Sequence, residues 1–225
     1  MVIKNKNLVI IGLGETADLA YEYFMYDSNY NVIGFAADKQ FIKAKNYLGL
    51  PIYDLVELKD HFSVMEIECF VALASGNMNR DREKLFKRIK DYGYKCANYI
   101  SSKAFIWRNV QIGENCFILE NNVLQYKVVI GDNVTLWSGN HIGHQTNIKS
   151  HVFVSSHCVI SGFCEVGENS FLGVNCTFAD NVKIGRDCFI GAGSLLTRSQ
   201  EPNTFIKIDR SPIASLTPLE FFKIS

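Results

Sequence analysis

Val182-Lys-Ile-Gly-Arg-Asp187, followed without a break by Cys188-Phe-Ile-Gly-Ala-Gly193, is one hexad written twice, with a small residue two places before a large aliphatic one. Outward from these twelve residues the period holds without insertion or deletion. A large apolar side chain stands at every sixth position from Ile106 through Ile112, Ile118, Leu124, Ile130, Leu136, Ile142 and Ile148, and on to Leu196. Two places before these sit small, β-branched or short polar residues, among them Cys116, Val128, Val134, Cys158, Cys164, Cys176, Val182 and Cys188. A period of six fits neither an α-helix nor an alternating strand. It suits short strands joined by tight corners, each flat face sending a large side chain inward. Three faces close one triangular coil of eighteen residues, and the sixteen hexads make five and one third coils, enough to bury a continuous core. The repeat ends after Ser199, and Thr217-Pro218-Leu219-Glu220-Phe221 predicts a short helix with a capping Thr and Pro at its first position, placed to cap the open end.

Before the repeats the pattern is different. Asn7-Leu-Val-Ile-Ile-Gly12 predicts a buried strand entering the turn Gly12-Leu13-Gly14-Glu15-Thr16-Ala17, then a helix to Tyr26. A second strand, Asn31 to Phe35, is followed by Asp38, near the spacing at which a ribose-binding acid follows a glycine-rich turn. Ile67 to Ala74 reads as a further buried strand and Arg80 to Tyr92 as its crossover helix. The organisation is therefore a small α/β Rossmann-like N-terminal domain over residues 1–100 and a parallel β-helix over 101–225. Gly12 and Gly14 are placed to cradle a pyrophosphate at a helix N-terminus, with Asp38 reaching a ribose or base. A plainer reading is a glycine turn that only starts a helix.

Composition narrows the function classes. Lys plus Arg and Asp plus Glu both total 23, so no basic footprint points to nucleic acid. No apolar run approaches the length of a membrane span, and the first residues lack a signal peptide's apolar segment, so a cytoplasmic protein is expected. The seven cysteines are odd in number and contain no Cys-x-x-Cys pair, which fits reduced packing residues better than disulfides or a thiolate zinc site.

The hexads Val110-Gln-Ile-Gly-Glu-Asn, Cys164-Glu-Val-Gly-Glu-Asn, Val182-Lys-Ile-Gly-Arg-Asp and Cys188-Phe-Ile-Gly-Ala-Gly resemble those of the left-handed parallel β-helix acyltransferases. With the Rossmann-like domain in front, nearly the whole chain resembles the bacterial sugar acyltransferases that include bacillosamine-pathway N-acetyltransferases and sialic acid O-acetyltransferases. The resemblance implies acetyl-CoA as acyl donor, a nucleotide-sugar acceptor and a homotrimer whose active sites lie between neighbouring helices.

Four of the five histidines, His141, His144, His151 and His157, fall within seventeen residues. Acyl transfer to an amine or hydroxyl needs a base and a donor for the developing oxyanion. The resemblance places the base in the fifth slot of Asn140-His-Ile-Gly-His144-Gln145, with Gln145 where that family usually has a carboxylate. One coil on, the same slot holds Gly162, where glycine leaves room for a thioester and exposes an N–H, a backbone position the resemblance gives to acetyl-CoA. The same carry-over puts Val174 and Ala192 along the pantetheine groove. N-acetylation of an amino sugar is the leading expectation, with O-acetylation beside it. Two readings of other classes stay open: a non-catalytic trimeric scaffold, whose histidines decorate a polar outer face, and a zinc-dependent hydratase with histidines meeting across a subunit interface.

Overall fold

The structure, a computed structural model, describes residues 3–208, 213 and 215–224. The N-terminal unit runs β1 (Lys6–Ile11), α1 (Glu15–Tyr26), β2 (Tyr30–Ala37), β3 (Asn46–Tyr47), β4 (Leu50–Asp54), α2 (Leu58–His61), β5 (Glu68–Val71) and α3 (Arg80–Asp91). The sheet order is β3-β4-β2-β1-β5, parallel except for the β3–β4 hairpin. β1 lies between β2 and β5, and Leu8 to Ile11 are buried on both faces. Leu8 and Ile10 join one apolar cluster and Val9 and Ile11 the other, as a period of two requires of a strand covered on both sides.

From Tyr99 onward the chain winds into two-residue strands stacked as three parallel sheets of seven, six and five strands. Within the repeats each strand pairs with the one eighteen residues later, as Thr135–Leu136 does with Phe153–Val154, and only the final pair, Phe189–Ile190 with Phe205–Ile206, is sixteen apart. We call the sheet containing Thr135–Leu136 face 1, that containing His141–Ile142 face 2 and that containing Asn147–Ile148 face 3. The coil is the left-handed parallel β-helix expected, and it extends one strand beyond the repeats at each end, Tyr99–Ile100 and Phe205–Ile206. Two side chains per strand region point inward rather than one. The large residue and the small one two places earlier, such as Cys158 and Ile160, are both buried in one continuous core. Corners are turned by a residue with positive φ at the sixth hexad position, commonly Asn: Asn115, Asn121, Asn133, Asn169, Asn175 and Asn181 have φ between 56° and 66°. Asn enters this left-handed region more readily than most residues, which explains its recurrence.

The two units share a core, because Tyr99, Phe117 and Leu119 of face 1 pack with Leu8, Phe24, Phe35 and Phe70. α3 lies against the edge between faces 3 and 1. From it the buried Arg82 donates to the carbonyls of Asn133 and Asn115 (both 2.9 Å) and to Thr135 Oγ1 (2.8 Å). Asn79 donates to the carbonyl of His151 at 2.8 Å. α4 (Pro218–Phe222) has the expected Thr217 cap, in a capping box with Glu220, and none of its residues is buried. No described helix is long and apolar enough to cross a membrane.

His151 belongs to this junction. It occupies a left-handed corner (φ 63°), its ring nitrogen lies 3.0 Å from Asn133 Nδ2, and its ring packs edge-on to Phe86. Burial lowers its pKa from 6.5, with Glu83 and Glu168 opposing and Lys87 and Arg82 assisting. A histidine held neutral in the folded chain stabilises it fully above pH 6.5, and that contribution is lost as pH falls toward the folded pKa, because only the unfolded chain binds the proton there. Calorimetry across this range should show Tm falling more steeply for the parent than for His151→Asn. Parallel curves would assign the proton uptake elsewhere.

Candidate functional site

His144 and Gln145 sit on the exposed edge between faces 2 and 3. The histidine is fixed through its backbone, whose N–H donates to Gln125 Oε1 (3.1 Å) and whose carbonyl accepts from Phe163 N–H (2.9 Å). Its ring meets the Phe163 ring edge-on at 4.9 Å. It also lies directly over Gly162, one coil on: a Cβ there would stand 2.5 Å from Cε1 and 2.8 Å from Nε2 of His144. Gly162 thus leaves the space the imidazole occupies. Gln145 turns the corner (φ 57°), and its side chain makes no hydrogen bond among the described residues.

One expectation at Gly162 is corrected. Its N–H is not exposed, since it donates to Asp180 Oδ1 at 2.8 Å. Asp180 stands in the same slot one further coil on, so the column on this edge reads His144, Gly162, Asp180. The eighteen-residue step that identifies Gly162 from the sequence identifies Asp180 as well.

Val174 and Ala192 are exposed, but on the edge between faces 1 and 2. In one chain, face 2 separates them from His144. The other histidines scatter likewise. His141 lies on the outer surface of face 2, His151 at the domain junction, and His157 on the edge between faces 1 and 2 with its ring over Gly139. Among the described residues no three His, Cys, Asp or Glu side chains are grouped to hold a metal ion. The cysteines are all buried, and desolvation pushes the Cys116 thiol up to about 12, so this thiol is no nucleophile near neutral pH.

The glycine turn lines a cavity of about 740 Å³ between the ends of β1 and β2 and the flank of α3. Gly12 is required twice over: its φ is +136°, and a Cβ would lie 2.7 Å from the Ala72 carbonyl oxygen. Gly14 has nothing within 4 Å of a Cβ and no side chain caps α1, so the start of this helix is open. Asp38 lines the cavity and accepts from Arg88 Nη1 at 2.6 Å. Lys43 and Lys84 also line it, and neither is in an ion pair among the described residues. These cations were not legible as site residues, because only the folding of α3 and the loop after β2 brings them beside the glycine turn.

A family model described as bacterial transferase hexapeptide (six repeats) matches residues 163–198. No curated protein matches the chain. Among solved structures, a histidine variant of perosamine N-acetyltransferase from Caulobacter crescentus, in complex with CoA and GDP-perosamine, is similar with 24% identity, 88% of this chain and 92% of that one covered, and a TM-score of 0.76. The acetyltransferase domain of PglB from Neisseria gonorrhoeae, in complex with acetyl coenzyme A, is similar with 20% identity, 89% and 95% covered, and a TM-score of 0.78. WeeI from Acinetobacter baumannii is 13% identical over 89% of this chain and 96% of that one, with a TM-score of 0.55. The fold is shared with these structures over nearly nine-tenths of the chain.

Proposed function

We propose that this chain is an acetyl-CoA-dependent acetyltransferase that N-acetylates a nucleotide-linked amino sugar, with His144 as general base. The observation that carries the reading is the imidazole held on an exposed edge over a glycine whose missing Cβ gives it room. The perosamine and PglB relatives, whose structures hold CoA, a nucleotide sugar or acetyl coenzyme A, support the choice of substrates.

The nucleotide binds at Gly12, Gly14 and Asp38, with Lys43, Lys84 and Arg88 balancing the diphosphate charge. Acetyl-CoA lies along Gly162, Val174 and Ala192. These three fit a thioester and its pantetheine arm as a groove only when the edge between faces 1 and 2 of one chain meets the His144 edge of another. A homotrimer supplies that meeting. Face 2 presents Phe105, Val159 and Leu195, all well exposed, for burial between copies. In the transfer the sugar amine nitrogen bonds to the thioester carbonyl carbon as its proton passes to His144. The carbon–sulfur bond then breaks and CoA leaves as the thiolate, which takes up the proton. No covalent enzyme intermediate forms. Gly162 contributes space, while its N–H stays with Asp180.

The test is thiol release from acetyl-CoA in the presence of UDP-, dTDP- and GDP-linked amino hexoses. Release that depends on one acceptor supports the reading, and its absence with every acceptor rejects it. Gly162→Ala probes the base position independently. The added methyl displaces a flexible ring rather than backbone, so Tm should hold while kcat drops by about 10- to 100-fold. A variant with normal kcat would mean that His144 works from another position.

A further inference from the structure

Trp137 and Phe153 lie on face 1 just below the N-terminal unit, their ring centroids 6.5 Å apart and tilted by 51°. Together with Thr16, Leu73 and Ala74 they line a narrow cleft of about 50 Å³. Leu73 lines the large nucleotide cavity too, so the two spaces adjoin through one side chain. Thr16 stands two residues beyond Gly14, in the first turn of α1, so a group held at Gly14 is one helical turn from the cleft.

We infer that Trp137 and Phe153 form the platform on which the hexose ring of the nucleotide-linked acceptor stacks. This rests on the transferase reading and adds where the sugar lies. A pyranose carries C–H groups on its faces and hydroxyls on its rim, the complement of a flat aromatic side chain with a wet edge. The cleft is too small to enclose such a ring, so the ring lies across its mouth, where Trp137 remains 37% exposed.

Height along the coil argues for the same placement. Trp137 is seven residues before His144 in one coil, and Phe153 is nine before Gly162 in the next. Chains packed side by side about an axis parallel to the coil keep every residue at its own height. The platform of one chain therefore meets the base of its neighbour at one level, although in a single chain they are on different edges. Phe171 and Phe189 continue the stack below Phe153, with successive centroids 5.3 and 4.9 Å apart. They run beside Val174 and Ala192, so acceptor and acetyl-CoA approach His144 from above and below.

Trp107 is the only other tryptophan, so a Trp107→Phe background isolates the emission of Trp137. UDP-, GDP- and dTDP-linked amino hexoses are titrated against the free nucleotides. The conjugate that is bound should change the emission, and its free nucleotide should not. Trp137→Ala should raise the acceptor KM by about three- to tenfold, leave the acetyl-CoA KM unchanged, and be largely rescued by Trp137→Tyr. Equal responses to nucleotide and conjugate, or an unchanged acceptor KM, would overturn the platform. So would a shift in sedimentation on Trp137→Ala, which would make this face a contact between copies. Thiol release with an acceptor that leaves Trp137 emission unmoved would remove the platform and keep the transferase. A conjugate-specific emission change without thiol release from any acceptor would do the reverse.

Discussion

His144→Ala is expected to lower kcat for acetyl transfer by about 10²- to 10⁴-fold, the range a positioned general base supplies, while leaving the acetyl-CoA KM and Tm near those of the parent. The stability half follows from exposure: the imidazole sits on the outside of a coil whose core is made by other positions, such as Ile142 and Ile160. The kinetic half follows from its setting, a ring braced by Phe163 in the room left by the missing Cβ of Gly162. His157→Ala is the natural comparison, because that ring too lies over a glycine, Gly139, but on another edge. If thiol release collapses in His157→Ala and survives in His144→Ala, the base assignment is wrong.

Arg82→Ala should have the largest effect on stability. The guanidinium is 3% exposed and gives three of its hydrogen bonds to Asn115, Asn133 and Thr135, so truncation strands buried acceptors in two successive coils and opens a void. A loss of about 3–5 kcal/mol is expected, the lower part of what three buried acceptors left without a donor cost at about 1–3 kcal/mol each. For a chain of this size that corresponds to a Tm lower by roughly 6–20 °C. Because Arg82 joins the N-terminal unit to the coil, calorimetry should also resolve two transitions in the variant. A single transition within about 2 °C of the parent would show that the shared core around Phe70 and Phe117 alone holds the units together.

Period six was legible because every coil repeats the same demand: two inward side chains per face and a corner residue that tolerates positive φ. Ile106 to Leu196 satisfy it without a gap. The β3–β4 hairpin was not legible. Its turn is Leu48-Gly49 with φ of 47° and 80°, and leucine in the left-handed region carries no turn signature. In the candidate site, the resemblance marks His144 by its slot in the hexad, and the eighteen-residue step leads from it to Gly162. The histidine cluster misleads for the same geometric reason. Seventeen residues are almost one full circuit of the prism, so side chains close in sequence are carried to different sides of it. Which edge Val174 occupies follows from the same count, which puts it on a different edge of the prism from His144.

The junction at Arg82 has a consequence for reach. It grips the coils at Asn115 and Asn133, and His144 comes eleven residues after the second grip. The cavity at the glycine turn and His144 are thus separated by a fixed fraction of a winding, set by residue number rather than by a hinge. Adding one whole winding of eighteen residues between them would leave every edge facing as before and lift the cavity from the base by about 4.8 Å, roughly the width of a sugar ring. Adding six would turn the base to a different side altogether. On the proposed reading, the coil sets the span of acceptor in whole windings, and a longer acceptor is accommodated only in such steps.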